Sequence, residues 1–148
     1  MTKFSLAVLA GIPLALTGCG GSKDYVRKGE IDRTIVQQPT QKNFIETIGI
    51  GAADSSLTND TQRQATSRDA AIVQAQYEML SIVKGIEVDG GITVQKAMET
   101  DSQLETNVKA IIKGAEIVKT EWTKDDGCVV TLHLDKKRLS DSGLHIQS

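Results

Sequence analysis

The stretch Phe44 to Ala52, FIETIGIGA, constrains the fold more than any other part of this 148-residue chain. Read as a strand, it sends alternate side chains to opposite faces. Phe44, Glu46, Ile48, Ile50 and Ala52 share one face, and Ile45, Thr47, Gly49 and Gly51 share the other. The second face is nearly bare and invites close approach by another backbone. Ile48 and Ile50 are the core residues expected from this strand. Phosphate binding by Gly49-Ile50-Gly51 fits poorly: no third glycine follows, and ADSSLTND separates the pair from the next helix.

That next helix is expected over Thr61 to Lys84. Asp60 or Thr61 is placed to cap it, and Thr61-x-x-Gln64 fits a capping box. Ala65, Ile72, Ala75, Met79, Ile82 and Ile86 recur at spacings of three, four and seven, which makes one apolar stripe. Its alanines allow the helix to lie close to a sheet. GIEVDGGITV, residues 85–94, reads as a short strand or a small hairpin turning on Asp89-Gly90-Gly91. A second helix is expected from Gln95 to Lys113, with Val94, Ala97, Asp101, Leu104, Val108 and Ile111 along its stripe and Gly114 at its C-terminal cap.

The last unit is a hairpin, Ala115 to Lys124 and Cys128 to Asp135. A three-residue loop, Asp125-Asp126-Gly127 with Gly127 left-handed, sets Lys124 opposite Cys128 and Trp122 opposite Val130. Val118, Trp122, Val130, Leu132 and Leu134 then gather on one apolar face. Lys119, Glu121, Thr131, His133 and Asp135 fall on the other. A two-residue loop mixes the faces, so burial selects the longer one. The chain is therefore expected to be α+β, with two amphipathic helices packed on a small antiparallel sheet of about three strands. Its expected core is Ile48, Ile50, Ile72, Met79, Ile82, Leu104, Val108, Ile111, Val118, Trp122, Val130, Leu132 and Leu134.

The N-terminal region reads differently. Lys3 is followed by an apolar run from Leu6 to Leu16, too short to span a bilayer. Leu16-Thr17-Gly18-Cys19 resembles the lipobox of bacterial lipoproteins. That resemblance implies a diacylglyceryl group on the Cys19 sulfur, cleavage before Cys19 and acylation of its new amino group. Each buried methylene of such chains contributes about 0.8 kcal/mol, so several chains make a stable anchor. Gly20, rather than aspartate, follows the cysteine and points to the outer membrane. Residues 1–18 are thus expected as a signal peptide and 19–43 as acylated cysteine and tether. The compact periplasmic domain is expected over 44–136, and a tail over 137–148.

Formal net charge is −2, which provides no global field for nucleic acid. No metal-ligand spacing appears, since His133 and Asp135 alone do not make a site. Cys128 and His133 point to opposite faces in the hairpin register, and no GxSxG elbow is present. His145 lies in a polar tail. Cys128 is expected as a partly buried, inert thiol, with a disulfide between two copies as the alternative. Lys136, Lys137 and Arg138 form a basic run, either the solvated end of a strand or a candidate interface with anionic headgroups or an acidic partner. These observations argue for no enzymatic activity and no cofactor.

The order of lipobox, tether, GIGAA strand, alanine-spaced helix, second helix and KGAEIVKTEWTKDDGCVVTLHLD resembles a family of outer-membrane lipoproteins of roughly twenty kilodaltons. This family was first known as surface antigens of gastric helicobacters and includes lipoproteins that form rings or disks around the flagellar rod and hook. The resemblance covers residues 44–136. It implies a compact α+β domain without enzymatic activity, many-copy self-assembly and flagellar envelope components as partners. The alternative is a monomeric envelope or surface binding module of the antigen or adhesin type.

Overall fold

A computed structural model of the chain describes Thr40, residues 43–144 and Ile146. Strand β1 (Phe44–Gly51) leads into helix α1 (Asp60–Lys84). A small ribbon of β2 (Glu87–Val88) and β3 (Ile92–Thr93) precedes helices α2 (Val94–Thr100) and α3 (Ser102–Lys113). The hairpin β4 (Glu116–Trp122) and β5 (Cys128–Asp135) follows, then the short helix α4 (Lys136–Asp141). The main sheet is antiparallel in the order β1-β5-β4, so the fold is α+β with a three-stranded sheet. Helix α1 packs on β1 and β5, and α2 and α3 pack on each other and on α1.

The contact between β1 and α1 organises the fold, and the bare side of β1 makes it possible. Ile45, Thr47, Gly49 and Gly51 are the buried residues of the strand. A Cβ built on Gly49 falls 1.8 Å from the Ala71 carbonyl oxygen, and one on Gly51 falls 1.8 Å from that of Ser67. Two strand residues advance about 6.7 Å, and four helix residues about 6 Å. Glycines two apart therefore stay level with helix residues four apart. Ser67, Ala71, Ala75, Met79 and Val83 form the buried stripe of α1, and the Thr47 hydroxyl donates to the Ala75 carbonyl at 2.9 Å.

This arrangement overturns the expected core positions Ile48 and Ile50, which lie half-buried on the sheet's opposite face. Helix α1 covers the face with the least side chain, because only there can the two backbones meet. The same requirement turns small residues of α1 inward in place of the more apolar neighbours. Ile72 and Ile82 flank the core, and Ala65 is exposed. The cap also differs: Asn59, not Asp60 or Thr61, accepts from the amides of Thr61 and Gln62 at 2.9 and 3.3 Å, and the helix begins at Asp60, one residue before the expected start.

The expected second helix is two helices. Asp101 ends α2 with an extended backbone (φ −136°), and its carboxylate accepts from the Gln103 and Leu104 amides to start α3. Val108 is fully buried, with Leu104 and Ile111 packed beside the core. The GIEVDGGITV segment is the hairpin β2-β3, with Gly90 and Gly91 at positive φ. Beyond Asp135 the chain is not a tail: Leu139 and Leu144 are buried in the core, and Ile146 bridges to Val88.

Candidate interaction surface at the free edge of the sheet

The β4-β5 hairpin keeps the expected faces but starts one residue earlier. Its three-residue loop is Lys124-Asp125-Asp126, closed by the Thr123 amide on the Gly127 carbonyl at 2.8 Å. Asp126, at φ 63°, takes the left-handed position. Gly127 serves close approach instead: a Cβ there falls 2.6 Å from Thr123 Oγ1 and 3.3 Å from the Gly51 carbonyl oxygen. The shift pairs Trp122 with Cys128 and Thr120 with Val130. Parity is preserved, so Val130, Leu132 and Leu134 remain on the helix side and buried. Trp122 lies partly buried against the core.

Val118 does not join that core. It falls at a bulge between Ile117, opposite Leu132, and Lys119, opposite Thr131, and is 43% exposed. Ile117 is 38% exposed. β4 is an edge strand paired with β5 alone, and among the described residues no helix packs along its outer side. Amide direction alternates along an antiparallel strand. The Thr123 amide bonds toward Gly127, so those of Thr120 and Trp122 turn outward to the open edge.

The sheet face away from α1 carries rows of paired side chains. Ile50, Val129 and Glu121 form one row, Ile48, Thr131 and Lys119 the next, and Glu46, His133 and Glu116 a third. Lys119 and Glu121 form an ion pair at 2.7 Å. His133 Nε2 meets the Glu46 carboxylate at 2.5 Å, and its ring stacks on Phe44 at 4.4 Å between centroids. A shallow cleft of about 250 Å³ lies at this end, lined by Asn43, Phe44, Glu116, His133, Asp135 and Arg138.

At the other end the hairpin tip is tied to α1. Arg63 donates through Nε and Nη2 to one Asp126 carboxylate oxygen at 3.1 and 2.8 Å, and Gln64 Nε2 donates to the other at 2.8 Å. The Ser67 hydroxyl donates to the Asp126 carbonyl at 2.7 Å. The Asp126 contacts hold the Arg63 guanidinium above its ordinary pKa. Nothing in the spacing of Asp126 and Arg63 marks them as partners. The signal available was Asp-Asp-Gly, whose aspartates tolerate positive φ.

The remaining expected sites are dispersed. Cys19 and His145 lie outside the described residues. The basic run opens α4: Lys137 pairs with Asp141 at 2.7 Å, and Arg138 Nη1 donates to the Gly114 carbonyl at 2.6 Å. The Asp141 carboxylate raises the Lys137 pKa. Cys128 is a free, fully buried thiol pushed up to about 11 by burial, and that burial argues against the alternative of a disulfide between copies. Among the described residues no cluster of histidine, cysteine and carboxylate side chains is arranged to hold a metal ion, and no helix is long and apolar enough to cross a membrane. In comparisons with known proteins, no family model matches the chain, and neither a curated protein nor a solved structure matches it.

Proposed function

We propose that this chain is a non-enzymatic lipoprotein of the outer membrane, anchored through acylated Cys19, with a periplasmic domain that has a structural or assembly role. The anchor rests on the apolar run ending in Leu16-Thr17-Gly18-Cys19. One observation carries the assembly role: β4 ends the sheet with an edge that none of the described residues covers, and Ile117 and Val118 are exposed on it. An edge of this kind offers a row of hydrogen-bonding groups to another chain. Rings or disks of the flagellar motor are the machine that the family resemblance suggests, with further copies and flagellar envelope components as partners.

The anchor is tested by Cys19→Ser in membranes washed with high salt. The domain is expected to stay folded and move to the soluble fraction, because the substitution removes the acyl chains and changes no residue of the sheet, helices or core described above. Full retention of this variant on membranes would show that lipid does not explain the attachment.

A further inference from the structure

We infer that two copies of this chain join edge to edge through β4, antiparallel about a two-fold axis at Thr120, to form one continuous sheet. The inference rests on the assembly reading above and gives it an interface. Hydrogen-bond geometry limits the registers. Thr120 and Trp122 turn their amides outward, whereas Lys119 and Glu121, opposite Thr131 and Val129, turn theirs toward β5. A two-fold axis falling between residues would set outward amides against residues already bonded inward. Only residue-centred registers close the ladder.

Charge then chooses among the registers centred on residues 119 to 121. Centring on Lys119 places it against Lys119 of the other copy, and centring on Glu121 places two carboxylates together. Like charges directly opposite are destabilising. Centring on Thr120 sets Lys119 against the second copy's Glu121, and Glu121 against its Lys119. It also sets Trp122 level with Val118, the exposed valine at the bulge. The existing Lys119–Glu121 ion pair becomes one half of an alternating four-charge cluster. Lysines and bulges on sheet edges discourage indiscriminate pairing. Here Lys119 penalises the neighbouring register and favours this one. A single strand edge buries less than a standard interface of about 800 Å² per partner, so pairing in dilute solution is weak. Confinement to one membrane raises the effective concentration and makes it productive.

The test uses the full chain in isolated membranes, with Lys119→Cys, Thr120→Cys and Glu121→Cys made singly and mildly oxidised. A residue on the two-fold axis meets its own copy at about 5.5 Å between Cα atoms, within disulfide range. Thr120→Cys is expected to give at least tenfold more disulfide-linked dimer than either neighbour. Equal or greater linking at 119 or 121 overturns the register. A second measurement does not depend on new cysteines: Lys119→Glu and Glu121→Lys, each verified as folded by circular dichroism, are expected to lose self-crosslinking alone and regain it when co-expressed, because the mixed pair restores both opposite-charge contacts between the copies. Abundant self-links to a lysine-reactive reagent in the native chain, without Thr120→Cys linking or charge-swap rescue, overturn this interface and leave the assembly reading standing. If self-links are absent altogether, both fail.

Discussion

The two edges of the sheet are finished in opposite ways. Along β1, helix α1 sits so close that glycine is required beneath it, and Gln74 Oε1 accepts from the Ile50 amide at 3.2 Å. Along β4 no helix packs among the described residues, and Glu116 through Lys119 are exposed. Among the described residues, α1 thus covers the face of β1 and supplies one side-chain acceptor to its edge, whereas the outward amides of β4 have no helix along them. A protein that only needed to fold would gain little from leaving one edge bare, since open edges are sites of unintended pairing. The asymmetry sets close packing at β1 against the proposed interaction at β4.

The largest expected effect is at the closed edge. Gly49→Val puts side chain where the Ala71 carbonyl oxygen and the Ala75 amide already lie, 1.8 and 2.6 Å from a Cβ. The helix must move away from the strand, separating the buried stripe of α1 from the core. We expect a loss of about 3 kcal/mol or more, read by urea unfolding with the single tryptophan, Trp122, as the fluorescent probe. A loss below about 1 kcal/mol would mean that the close contact does not hold the fold together.

An intermediate effect is expected where the free-edge hairpin is fastened to α1. Asp126→Ala removes the acceptor for Arg63 and Gln64 and places a residue less tolerant of positive φ in the turn. The cost should be about 1–3 kcal/mol. Asp126→Gly separates the two causes, because it relieves the backbone while losing the same side-chain contacts. If both variants unfold at the same urea concentration as the native chain, the tip cluster contributes nothing to stability.

Both sites bear on what the sequence disclosed. Alternation in FIETIGIGA defined two faces of β1, and the bare one announced a close backbone contact. The error lay in placing the core beneath the larger residues, Ile48 and Ile50. Hydrophobicity ranks side chains one at a time, whereas the winning face was decided by how near two backbones could come. The same competition sent Ser67 and Ala71 inward and Ile72 to the flank. In the hairpin, parity survived a two-residue change of register because the loop moved by one position at each end. The bulge at Val118 was not legible, since no local residue demands it. The link from Asp126 to Arg63 was hidden for another reason: it spans 63 positions and exists only once α1 has docked.

The smallest expected effect is the one that best sharpens the contrast between the edges. Val118→Thr keeps a β-branched side chain suited to a strand and replaces an exposed methyl with a hydroxyl that solvent can satisfy. Surface changes of this kind move stability by no more than about 0.5 kcal/mol in either direction, so its urea midpoint should match that of the native chain. A loss above about 1 kcal/mol would place Val118 in the packing of the isolated domain and make β4 as much a structural strand as β1. A null effect on stability, combined with weaker self-crosslinking in membranes, would assign the side chain to contact with another copy. Val118 is exposed in the single chain and lies level with Trp122 at the interface in the edge-to-edge register, so the two measurements separate its worth to folding from its worth to association.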